Sequence, residues 1–154
     1  MAQWATYEDA VEELSSLPGE ERLGAFIATW TGEAESLSSE DVRRLFVELW
    51  PGGRGAVDDR SPELLRMLLW IAPVRDAETY LNGTLTVFRR APDERGVSWT
   101  LDEPSSERAT PNGSSLFRAT VAASDVLAHF TTHGDNEVLV DPRSLGSLER
   151  LPPA

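Results

Sequence analysis

The hydrophobic pattern of this chain changes its period near Leu81, and that change constrains the fold more than any other feature. Before Leu81, apolar residues recur at the spacing of amphipathic helices. After it, short runs alternate apolar and polar residues, as strands with one buried face do. Helices followed by a run of strands are typical of the α+β class. We therefore predict an acidic helical region over 1–80 packed on a small β-rich core over 81–154, as one compact unit.

The helical region contains signals that start and stop helices. Thr6, Ser38 and Ser61 carry hydroxyl groups suited to capping helix N-termini. Proline and glycine follow the first and third segments, where they end helices. These signals predict helices over about residues 7–17, 20–30, 39–50 and 62–72.

In the second half, β-branched and aromatic residues alternate with polar ones in four short runs. Ser124-Asp125 has the character of a helix start, so we predict a short helix over 126–130. Residues 102–114 are rich in Pro, Ser, Glu and Asn and are predicted to form a loop. The last residues, ending in Leu151-Pro152-Pro153-Ala154, are predicted to be a loosely held tail. The four runs predict strands over about residues 84–90, 97–101, 115–122 and 137–140.

The charge balance excludes several classes of partner. Asp plus Glu number 26 against 14 Lys plus Arg, which gives a formal net charge of −12. Such a charge repels phosphate backbones and anionic lipid, so we do not expect a nucleic-acid or membrane partner. The absence of cysteine excludes disulfides and a thiol nucleophile. Neither a leader-like segment nor an apolar run of membrane-spanning length is evident, so we expect a cytoplasmic protein.

Two carboxylates stand where the last predicted strand begins. Asp135 and Glu137 precede the apolar run Val138-Leu139-Val140, and Pro142 follows it. Because side chains alternate along a strand, the two carboxylates are expected on the same face. They can act together in chemistry, and the alternative is that they are solvated edge charges that discourage aggregation.

Polar residues on two earlier strands accompany this acidic pair. Ser98 and Thr100 share one face of their strand, while Trp99 anchors the other. Arg89 ends the apolar run of its strand, where a rigid element could present a guanidinium to an anion. The alternatives are a solvated Ser/Thr face and an arginine that extends along the edge of the sheet.

Two histidines near the acidic pair raise the question of a metal site. His129 and His133 lie four residues apart, with Asp135 and Glu137 close behind. Gly134 disfavours a continuous helix through this segment, and the Glu of the H-E-x-x-H pattern is absent. We predict no metal site here, and interpret the histidines as ordinary residues near a turn.

In this order, the three polar pieces resemble mono-ADP-ribosyltransferases of the Arg-Ser-Glu type. That family carries an Arg on its first core strand, a Ser-x-Ser/Thr element on a later one, and a Glu-x-Glu or Gln-x-Glu pair at the start of a strand of the form E-V-L/I-L/I-x-P. The stretch L-F-R-A-T-V over 116–121 is similar to the strand placed between the last two elements. The resemblance covers about the C-terminal half. The matching residues are Arg89 in V-F-R-R, Ser98 and Thr100 in V-S-W-T-L-D, and Glu137 in D-N-E-V-L-V-D-P.

The resemblance implies NAD as substrate and a cleft in which these residues converge. Arg89 would bind a phosphate of NAD, with the adjacent Arg90 as a rival ligand. Ser98 would hydrogen-bond and orient Glu137, and Thr100 would line the same NAD site. Glu137 would bind the nicotinamide ribose and stabilise an oxocarbenium-like transition state as nicotinamide leaves.

The function implied by the resemblance is mono-ADP-ribosyl transfer from NAD to a macromolecular acceptor, expected to be a protein, with NAD hydrolysis when no acceptor is present. Asp135 would engage the acceptor, and it stands where the family has Glu or Gln. The alternative is a non-catalytic interaction protein that uses a degenerate form of the same scaffold and its acidic surface to bind a partner.

Overall fold

The computed structural model describes residues 4–32, 37–76, 81–104, 113–131 and 136–152. The chain divides into two compact units, Met1–Val74 and Arg75–Ala154. The described part of the first unit is helical, and the second carries almost all of the sheet. This is the α+β composition predicted from the change of period. Within the described ranges, no helix is both long and apolar enough to cross a membrane.

Three helices of the first unit begin at the predicted caps. The hydroxyl oxygens of Thr6, Ser38 and Ser61 accept main-chain hydrogen bonds of 3.2, 3.1 and 3.3 Å from the residue three positions further on. The helices are α1 (Tyr7–Leu14), α2 (Arg22–Gly32), α3 (Ser39–Gly53) and α4 (Pro62–Ile71). Gly53 allows α3 to approach α2 closely, because a Cβ there would lie 2.4 Å from the Cβ of Leu23.

The described residues form one seven-stranded sheet. Its strands are β1 (Val74–Arg75), β2 (Thr84–Ala91), β3 (Ser98–Thr100), β4 (Ser115–Ala122), β5 (Val126–Phe130), β6 (Glu137–Val140) and β7 (Gly146–Leu151). Their order across the sheet is β1-β5-β6-β3-β2-β4-β7. The four predicted strands are present as β2, β3, β4 and β6, and the sheet joins Val87, Trp99 and Val138 as predicted.

Two sequence predictions in this unit are wrong. Residues 126–130 form strand β5 rather than a short helix. Pairing with β6 gives this segment main-chain hydrogen bonds along its length, whereas a five-residue helix would form very few. The Ser124-Asp125 signal produces only the 3₁₀ turn Ala123–Asp125. The C-terminal segment is not a loose tail over Gly146–Leu151, because β7 pairs with β4 there. Its side chains are mostly exposed, so it lacks the alternation that reveals a strand.

The strand register assigns each side chain to one of two faces of the sheet. Directly opposed residues on neighbouring strands share a face, and successive residues on one strand alternate. One face, here called the tryptophan face, forms a buried apolar cluster of Val87, Trp99, Phe117, Ala119, Val121, Val126, Val138 and Val140. The other, here called the glutamate face, is crossed from β5 to β7 by a row of opposed residues: Phe130, Glu137, Thr100, Phe88, Arg118 and Glu149.

Candidate functional site

The candidate site is centred on a hydrogen bond between Ser98 and Glu137. The hydroxyl of Ser98 donates to Oε2 of Glu137 at 2.8 Å. Each residue is the first of its strand, and β3 and β6 are antiparallel neighbours. Thr100 stands directly opposite Glu137, so Ser98 reaches the carboxylate along the diagonal of the same face. The hydrogen bond that the resemblance implies is therefore present, and it fixes the rotation of a partly buried carboxylate.

The strands that carry the three motif pieces are consecutive neighbours in the sheet. Strand β3 lies between β2, which carries the two arginines, and β6, which carries Glu137. Nearly forty residues separate Ser98 from Glu137 in the sequence, and they include β4 and β5. Folding thus brings the pieces to adjacent positions even though the chain visits two other strands between them.

Arg89 departs from the arrangement that the resemblance implies. It stands opposite Phe117, so its side chain leaves β2 on the tryptophan face, away from Glu137. The residue is 7% exposed. Nε donates to the carbonyl of Asp93 at 2.9 Å and Nη1 to the carbonyl of Ser98 at 3.1 Å. Arg89 therefore joins the connection after β2 to the first residue of β3, and does not share the face of Ser98 and Glu137.

Arg90 occupies the face that Arg89 does not. It stands opposite Leu116 and alternates with Arg89, which places it on the glutamate face with Phe88. Its side chain is partly exposed, as that of Glu137 is. Both adjacent arginines are candidates for an anion contact from sequence, and the strand register places only Arg90 on the glutamate face.

Thr100 lies on the glutamate face, with its hydroxyl bonded to the main chain. Oγ1 donates to the carbonyl of Asn136 at 3.4 Å and accepts the N–H of Asp102 at 3.1 Å. Lining an NAD site stays a prediction for Thr100, and the contacts observed for its hydroxyl are structural. Thr100 helps to hold the residue that precedes Glu137.

Of the two histidines, His129 is among the described residues. His133 lies outside them, as does Asp135. His129 is a strand residue on β5, 3% exposed, with Nε2 lying 2.7 Å from Oδ1 of Asn136. Over the described ranges, no group of three or more His, Asp or Glu side chains could hold a metal ion.

Sequence reasoning missed the contribution of Asp102 and Asn136. The carboxylate of Asp102 accepts the N–H of Asn136 at 3.3 Å, immediately before Glu137. Asp102 is the first residue of the loop predicted over 102–114, and an acidic loop residue carries no pattern that reveals its bonding partner. Its position two residues after Thr100, within V-S-W-T-L-D, was the one available signal.

Comparison of the chain with protein-family models, with curated proteins and with solved structures found no match. The glutamate face presents a carboxylate with a fixed rotation beside polar residues on a rigid sheet, which is suited to stabilising a positive charge that develops in a bound substrate.

Proposed function

We propose that this protein is a mono-ADP-ribosyltransferase that transfers ADP-ribose from NAD to a macromolecular acceptor and hydrolyses NAD when no acceptor is bound. The observation that carries the proposal is the Ser98–Glu137 hydrogen bond between the first residues of two adjacent strands. The order of the Arg, Ser-x-Thr and Glu pieces along the chain supports NAD as the substrate.

The reaction breaks the glycosidic bond between nicotinamide and C1′ of its ribose. The bonding electron pair leaves with the pyridinium nitrogen, so nicotinamide departs as a neutral molecule and positive charge develops at C1′. The carboxylate of Glu137 stabilises that charge, and Ser98 keeps it in the productive orientation. A nucleophile of the acceptor, or water, then bonds to C1′ and loses its proton. Asp135 acts on the acceptor side of this step.

The pyrophosphate of NAD needs a cation on the same face as Glu137. Arg90 meets this condition through the strand register, whereas Arg89 leaves the sheet on the other face. We therefore assign the phosphate contact to Arg90 and a structural role to Arg89. A guanidinium can bind a phosphate with two parallel hydrogen bonds, which suits it to this task.

The second candidate is a non-catalytic interaction protein on the same scaffold. The formal net charge of −12 favours this candidate, because an acidic surface attracts basic partners and repels anionic ligands, NAD among them. An interaction protein of this kind needs neither NAD binding nor chemistry at Glu137, so it predicts the absence of both.

The deciding experiment measures nicotinamide release and ADP-ribose formation when purified protein is incubated with NAD, and ADP-ribose incorporation when a mixture of proteins is added. We expect the wild-type protein to release nicotinamide and the Glu137→Gln variant to lose this activity. A wild-type protein that neither binds NAD in calorimetry nor releases nicotinamide contradicts the enzyme and leaves the interaction protein.

A further inference from the structure

Asn136, the residue before Glu137, is bonded to three consecutive residues at the end of β3. Its carbonyl accepts the N–H of Leu101 at 2.9 Å and the hydroxyl of Thr100 at 3.4 Å. Its N–H donates to Oδ2 of Asp102 at 3.3 Å. In a regular antiparallel pair that N–H would return to the carbonyl of Leu101. The carboxylate of Asp102 thus replaces a main-chain acceptor at the point where the β3–β6 ladder ends.

Both partners in this contact are held by further bonds. The N–H of Asp102 donates to Oγ1 of Thr100 at 3.1 Å, which sets the turn that brings the carboxylate back towards Asn136. On the other side, Oδ1 of Asn136 lies 2.7 Å from Nε2 of His129 on β5. The residue that precedes Glu137 is therefore joined to both strands that flank β6.

We infer that Asp102 is a positioning residue for Glu137, a role that rests on the proposed function. Ser98 fixes the carboxylate end of the Glu137 side chain, and Asp102 fixes the main chain from which that side chain departs. The end of a strand opens easily when it has few bonds. A displacement of about 1 Å at a reacting group can cost about a hundredfold in rate, so a loosened start of β6 lowers kcat.

The test compares kcat and KM for nicotinamide release in the wild type, Asp102→Ala, Asp102→Asn and Asp125→Ala. Asparagine keeps a side-chain oxygen that can accept the N–H of Asn136, whereas alanine does not. Asp125 is an exposed aspartate of the same unit, so its variant controls for the loss of one negative charge. We expect kcat to fall about tenfold in Asp102→Ala with KM for NAD unchanged, and to stay near the wild-type value in the other two variants.

Amide hydrogen exchange gives a second readout of the same contact. Asp102→Ala should speed exchange at Asn136 while leaving the β2–β4 pairing protected, and Asp102→Asn should not. Equal losses of kcat in Asp102→Ala and Asp102→Asn, or a wild-type kcat in Asp102→Ala, overturn the positioning role while the enzyme stands. If the wild type releases no nicotinamide, the proposed function fails, and the positioning role fails with it.

Discussion

Arg89 and Arg90 are adjacent in the sequence, and their side chains leave strand β2 on opposite faces of the sheet. Arg89 binds two main-chain carbonyls, while Arg90 shares the face of Glu137. A change at Arg89 is therefore expected to affect folding stability, and a change at Arg90 to affect ligand binding.

Replacing Arg90 tests whether this residue binds the pyrophosphate of NAD. Arg90→Gln should weaken NAD binding by about 2 kcal/mol, because a charged contact to the pyrophosphate is lost. Nicotinamide riboside, which has no pyrophosphate, should bind the variant and the wild type alike. Arg118→Gln is the matched control, since Arg118 lies on the same face but forms an exposed ion pair with Glu149. Titration calorimetry measures all three proteins, and equal NAD affinity in Arg90→Gln and wild type would contradict the assignment.

Replacing Arg89 tests the structural side. Arg89→Ala should lower the free energy of unfolding by about 2 kcal/mol or more, because two charge-assisted hydrogen bonds to carbonyl groups are lost. Arg89→Lys should recover only part of the loss, since an ammonium group does not reproduce the planar spacing of Nε and Nη1. Urea denaturation gives the result, with Arg118→Ala as an exposed comparison expected to cost about 1 kcal/mol or less. A stable Arg89→Ala protein with weakened NAD binding would return the phosphate contact to Arg89.

Glu137 is the residue on which the proposed chemistry depends. Glu137→Gln keeps the shape and most of the hydrogen bonding of the side chain but removes its negative charge. Nicotinamide release should fall by about a hundredfold or more while NAD binding is largely kept. Asp135→Asn is the control, because a carboxylate on the acceptor side should affect transfer and leave NAD hydrolysis nearly intact. If Glu137→Gln alters only the binding of a partner protein, the interaction protein is the correct account.

A pH-dependent contribution to stability is expected from Asp141, just after β6. Its carboxylate accepts hydrogen bonds from the side chain and the N–H of Arg143, and these hold the pKa of Asp141 below its ordinary value. A lowered folded-state pKa stabilises the fold above the ordinary aspartate pKa of about 3.9, and that stability is lost as pH falls through the folded-state value.

Asp141→Asn tests this expectation while keeping an oxygen that can cap the 3₁₀ turn Pro142–Ser144. At neutral pH the variant should be less stable by up to about 1 kcal/mol, because Arg143 is exposed and solvent screens the pair. Denaturation at successively lower pH should show the difference shrinking below the ordinary pKa and disappearing in strong acid. A difference that does not change with pH would mean that the charge of Asp141 is not its source.

Part of the site could be predicted from sequence because it depends on alternation within single strands. Ser98 and Thr100 lie two positions apart on one strand and therefore share a face, and Glu137 is the first residue of its strand. Both features depend on neighbouring residues alone. The same alternation separates Arg89 from Arg90. It does not say which of them shares a face with Glu137, since that depends on the register between β2, β3 and β6.

The amino-acid sequence by itself determined the helical and strand-forming halves, because capping residues and hydrophobic periods act over a few neighbouring positions. Only the tertiary structure decided that Val126–Phe130 and Gly146–Leu151 are strands, since pairing with β6 and β4 overrides weak local preferences. It also decided the contacts of Ser98 with Glu137, of Arg89 with the carbonyl of Ser98, and of Asp102 with Asn136. Those contacts join residues that lie near one another only after the sheet has formed, and no local pattern encodes the register that brings them together.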